Sequence, residues 1–184
     1  LFDLQYGRTY EQGIHLREAD PRLLRAHAAA RPLAQRVIEQ GGQGDAATFA
    51  AIDAAGALVN DVVHAAVQEI LRAGKIPGVV GGDHSVPYGA IRAVAEHHPE
   101  LGILHFDAHA DLRVAYEGFR WSHASIMDNV LRDVAGVQRL VQVGIRDVCE
   151  EEVLYCRAKG ARVRMVTDRE VAMRKQEGES FAAV

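Results

Sequence analysis

The chain has 184 residues, 48% of them hydrophobic and 25% charged, which are the proportions of one ordinary globular domain. A net charge of −4 removes the electrostatic case for nucleic acid or an anionic membrane, and no uninterrupted apolar run approaches the ~20 residues of a membrane span. Cys149 and Cys156 are too few for a disulfide scaffold and are not a Cys-x-x-Cys pair, so a reducing cytoplasm is the default expectation.

Residues 1–19 are mixed and polar and read as irregular. Asp20-Pro21 is a helix start, a capping carboxylate followed by proline at the first helical position. That helix runs toward Ile38; Pro32 should kink or divide it, and Gly41-Gly42 ends it. The spacing of Phe49, Ile52, Val59, Val63, Val67 and Ile70 predicts one apolar face on a helix over 45–72. His64 beside that face reads as a core-edge residue. Ile76 to Val80 is a short apolar run expected to form a strand, followed by Gly81-Gly82-Asp83-His84-Ser85 and a helix to His97. His97 and His98 at its end read as surface residues.

Leu101 to Phe106 reads as a strand buried on both faces. It runs into Asp107-Ala108-His109-Ala110-Asp111-Leu112-Arg113. Alternate residues of an extended chain point the same way, so Asp107, His109 and Asp111 should project together from the carboxyl end of the strand. Ligands of open α/β sheets collect at that edge. Two carboxylates and an imidazole converging there repel and stay under-solvated without a cation between them. The other reading is a solvated Asp-rich turn. His84, after paired glycines at the neighbouring strand's end, would join the same edge and favours a divalent metal. His105 shares parity with Asp107 one step deeper and is expected to support a ligand.

Tyr116, Phe119 and Trp121 form an aromatic loop, suited to walling a substrate pocket or packing on a neighbouring subunit. Ser122 can cap a helix from His123 to Arg132. Strands are expected at Leu140–Val143 and Val163–Val166, with helices at Cys149–Lys159 and Arg169–Gln176. The alternation of strand and helix predicts an α/β fold with a doubly wound, mostly parallel sheet.

Gly81-Gly82-Asp83-His84-Ser85 together with Asp107-Ala108-His109-Ala110-Asp111 resembles the ureohydrolase family of arginases, agmatinases and related guanidino hydrolases. Ser122-His123-Ala124-Ser125 is similar to its downstream Ser-His-Gly segment. The resemblance covers Ile76 to Asp168. It implies a three-layer α/β/α domain over residues 1–184, and a centre of two Mn²⁺ ions, with Ni²⁺ or another divalent ion as alternatives. His84, Asp107, His109 and Asp111 would be metal ligands, with Asp107 bridging, and His123 would shuttle a proton or contact substrate. The implied reaction is hydrolysis of a guanidinium to an amine and urea by a metal-activated water, with Asp107 and His123 as the catalytic pair. Agmatine is the first candidate substrate, which would place the enzyme in cytoplasmic polyamine synthesis. The resemblance also implies a homo-oligomer, trimer or hexamer, while the charge balance leads to the expectation of no nucleic-acid or membrane partner.

The family's third motif, Ser-x-Asp-x-Asp, has no counterpart here, and its amino-terminal strand is shortened at Leu1-Phe2-Asp3-Leu4. The chain is therefore expected to be incomplete at its carboxyl end and at its start. Arg113 stands where the family often carries Asn, and Ala124 where Gly is usual. Arg113 could receive a substrate carboxylate, which leaves guanidino acids, guanidine and formimino compounds as alternatives. A chain natively this short would be a non-catalytic assembly module.

Overall fold

The computed structural model describes residues 3–183; Leu1 and Phe2, part of the segment read as a shortened strand, lie outside them. Three strands, β1 (Leu101–Phe106), β2 (Val137–Ile145) and β3 (Val163–Thr167), form a parallel sheet in that order. Parallel pairing follows because each helical crossover returns the chain to the same end of the sheet. In register, Ile103 stands opposite Leu140 and His105 opposite Gln142, while Leu140 also meets Val163.

Ile103, Leu140 and Val163 belong to the main core. Three helices pack on that core: α3 (Tyr88–His97) with Ala95, α4 (Ile126–Asp133) with Val130 and Leu131, and α5 (Glu150–Lys159) with Tyr155. α6 (Asp168–Gln176) packs against β2 and β3. Two long helices lie outside α3: α1 (Pro21–Glu39) rests on α2 (Ala46–Arg72), and α2 rests on α3. The α2–α3 crossing is close because of Gly89. A Cβ there would lie 2.1 Å from the Asn60 carbonyl oxygen. α2 has the length and apolar composition of a membrane span. Asp53, Asp61 and Glu69 interrupt it, and it packs on both α1 and α3.

Three expectations need correction. Ile76–Val80 forms no strand; it is irregular, and Ile76 and Val80 are almost fully exposed. An apolar run becomes a strand only when a ladder receives its backbone, and β1 pairs with β2 alone among the described residues. β1 is also covered on one face only, with Leu104 61% and Phe106 71% exposed. Lastly, Pro32 does not divide α1. It sits on the exposed side, as does Ala28, so the carbonyl that its ring leaves unpaired can meet water.

Candidate metal centre

Asp107 begins where β1 ends, and its N–H still donates to the Val143 carbonyl at 3.2 Å. Beyond it the chain is not extended. Asp107 Oδ1 accepts the His109 N–H at 2.9 Å, and Asp111 has φ 56°, a left-handed conformation that an Asp tolerates better than most residues. The simple alternation of Asp107, His109 and Asp111 is therefore replaced by a stitched loop. The Asp111 carbonyl accepts from Met127 N–H at 3.0 Å, and Arg113 N–H donates to the Ala124 carbonyl at 3.0 Å. On the neighbouring loop, Asp83 Oδ1 accepts the Ser85 N–H at 2.8 Å and the Ser85 hydroxyl, closing the turn that presents His84.

His84 Nδ1 lies 2.5 Å from Asp111 Oδ2 and 3.6 Å from Asp107 Oδ2. His105 Nε2 lies 3.4 Å from Asp107 Oδ2. One ligand atom from each of His84, His105, Asp107 and Asp111 falls within 4.8 Å of every other. His109 stands outside that group and is exposed. Its Nδ1 is 3.3 Å from Asp107 Oδ1, and its Nε2 is 3.6 Å from Asp147 Oδ2. The two oxygens of Asp107 thus face different histidines, His84 and His105 on one side and His109 on the other.

The electrostatics follow this packing. The hydrogen bond to Asp111 raises the His84 pKa against the opposing effect of burial. Burial, with the charge of His84 beside it, lowers that of His105. Burial pushes Asp107 up, but the His109 N–H and the two imidazoles outweigh it and lower its pKa. A buried carboxylate, a half-buried carboxylate and a half-buried imidazole converging on one point fit a divalent ion with mixed nitrogen and oxygen ligands.

Arg113 is occupied locally. Its Nε is 3.9 Å from Glu152 Oε2, and its guanidinium lies over the Tyr116 ring, 5.4 Å from the centroid. His123 starts a single 3₁₀ turn before α4 rather than the helix itself. Its ring meets the edge of Tyr116 with centroids 5.4 Å apart. His123, Asp83, Tyr116, Phe119 and Trp121 share the lining of a cavity of about 220 Å³, to which Asp53 and Glu117 add two more carboxylates. The aromatic loop also packs within its own chain, Trp121 on Tyr88 and Phe119 on Phe49.

Two supporting residues escaped the sequence reading. Glu152 is buried; its Oε1 accepts Leu112 N–H at 2.9 Å and its Oε2 accepts Cys149 N–H at 3.0 Å. Its position three residues after Cys149, as the reciprocal partner at the start of α5, was the available signal. Gln142, fully buried on β2, bonds both Ala110 and His105. A glutamine inside an apolar strand was its only trace.

The profile of the arginase family matches residues 14–180. The chain is 36% identical to an agmatinase of Bacillus subtilis over 103 residues, covering 56% of this chain and 35% of that protein. It is 46% identical to mitochondrial arginase 1 of Oryza sativa over 79 residues, covering 41% of this chain and 22% of that one. Among solved structures, the arginase of Medicago truncatula superposes with a TM-score of 0.59 and 30% identity, over 70% of this chain and 42% of that chain. The alignments thus span about a third or less of these two curated relatives. With its parallel sheet, its clustered His84, Asp107 and Asp111, and a match over nearly its whole length, the chain belongs to the arginase family.

Proposed function

We propose that the whole protein is a metal-dependent hydrolase of a guanidino compound, with agmatine as the substrate. The observation that carries this reading is the convergence of His84, Asp107 and Asp111 at the carboxyl end of the sheet. These three residues would hold one divalent ion; Asp107 and His109 would contribute to a second. Bound Mn²⁺ would supply the charge that lowers the pKa of a water and polarises the guanidino carbon. The remaining tasks fall to the chain itself. His123 would deliver a proton from its imidazole to the departing amine. The aromatic side chains beside it would exclude water around a methylene arm.

The far end of the substrate is read from the same cavity. Asp53, Asp83 and Glu117 line it, whereas Arg113 is turned toward Glu152 and stacked on Tyr116. Carboxylates favour a cationic terminus such as the primary amine of agmatine over the carboxylate of a guanidino acid. The test is a panel of agmatine, arginine, guanidinobutyrate and a formimino acid, incubated with the full-length Mn²⁺-loaded protein and scored for urea and formamide. Urea from agmatine is expected. A protein that releases neither product from any of them would overturn the hydrolase reading, and release from the acids alone would overturn the choice of substrate.

A further inference from the structure

The buried side chain of Gln142 faces two partners. Its amide nitrogen lies 2.6 Å from the Ala110 carbonyl oxygen and 2.9 Å from His105 Nδ1. A carbonyl oxygen only accepts, so the group facing Ala110 is the NH₂ and not the amide oxygen. One N–H is directed at Ala110 and the other at His105. A donor there makes Nδ1 the accepting nitrogen and leaves the neutral ring's proton on Nε2. That Nε2 is buried, has no hydrogen-bond partner among the described residues, and lies 3.4 Å from Asp107 Oδ2. His105 itself is only 5% exposed, and its ring lies 5.0 Å from that of His84, centroid to centroid.

We infer that Gln142 fixes His105 in its Nε2–H form, making His105 a positioning residue that donates to Asp107 rather than a ligand that offers a lone pair to an ion. His105 falls within the group of four potential ligands, so distance alone does not separate these roles. The tautomer separates them. With the proton on Nε2, the ring holds Asp107 Oδ2 in the orientation that also faces His84, and the Oδ1 side stays turned to His109. A small closure of the 3.4 Å separation would complete an ordinary hydrogen bond. The chain of contacts Ala110–Gln142–His105–Asp107 thereby ties the metal-facing loop to β2.

The importance of Asp107 rests on the metal reading proposed above, but the tautomer does not. The full-length protein, metal-free and labelled with ¹⁵N in its histidine rings, gives the first test. The His105 signals, identified by their loss in His105→Gln, should show the proton on Nε2; a proton on Nδ1 would overturn the inference. Mn²⁺ titration without substrate gives the second. His105→Gln keeps an N–H donor near the Nε2 position and should retain affinity within about threefold, whereas His105→Met should lose about 10–100-fold; both variants strip the Gln142 N–H of its acceptor, so their metal-free melting temperatures should fall alike and leave the difference in affinity to the donor. Equal loss in both variants would mark His105 as a ligand and overturn the positioning role, and so would loss in neither. A protein that binds no Mn²⁺ at all would sink the proposed function, while the ring-nitrogen spectrum would still decide the tautomer.

Discussion

Replacing Glu152 with alanine should destabilise the protein by about 2–4 kcal/mol. The Leu112 N–H, on a residue 2% exposed, would lose its acceptor 2.9 Å away, and a buried unsatisfied donor costs about 1–3 kcal/mol. The Cys149 N–H at the start of α5 would lose its bond to Oε2, a capping loss of about 1 kcal/mol. The Arg113 contact at 3.9 Å is partly solvated and adds little. Equilibrium unfolding of the metal-free protein in urea, followed by circular dichroism, measures the difference directly. Because Leu112 adjoins Asp111, Mn²⁺ affinity should fall in the same variant. A loss below about 0.5 kcal/mol would refute the reasoning, since the Leu112 N–H would then have found another partner.

Four further outcomes follow from the geometry. His123→Asn should lower kcat by about 10²–10⁴ while leaving metal content, measured by mass spectrometry, unchanged. Gly89→Ala forces a Cβ to within 2.1 Å of the Asn60 carbonyl and 2.9 Å of the His64 nitrogen, both backbone atoms, and should cost about 3 kcal/mol or more in chemical unfolding. The 184-residue chain by itself should bind one Mn²⁺ weakly and a second barely, because among the described residues Asp107 and Asp111 are the only carboxylates gathered with His84 and His105; calorimetry showing two tight sites would contradict this. The Glu96 carboxyl is held below its usual pKa chiefly by the hydrogen bond from His64, 2.8 Å away on α2. Its stabilising effect is therefore present above the unfolded carboxylate pKa and lost as pH falls through the lowered folded value. Glu96→Gln should remove that acid-side slope, worth under about 1 kcal/mol after solvent screening, in melts between pH 3 and about 6.

The helices were legible because their signals are local, whereas the parallel order and the convergence of His84 with Asp111, 27 residues away, were legible because alternating strands and helices return successive segments to one edge of the sheet. The capping residues Asp20 and Asp45 and the apolar period of α2 act within a few residues of themselves. The fate of Ile76–Val80 was not legible, since five apolar residues state a preference for burial but not who will pair with them. The placement of His109 was missed for a related reason. Alternation holds only while the backbone stays extended, and the Asp107 side chain ends that by accepting the His109 N–H. Glu152 and Gln142 reach the loop from 40 and 32 residues away along the chain, so their role depends on the tertiary fold and leaves little local signature.

The half-covered first strand has a practical consequence for anyone handling this polypeptide. Leu104 and Phe106 form a greasy stripe, and beside them β1 leaves one row of amide and carbonyl groups with no ladder partner among the described residues. Such a border is sticky to any second border like it. The 184 residues purified alone should aggregate increasingly with concentration, and a lysine in place of Leu104 should keep them in solution.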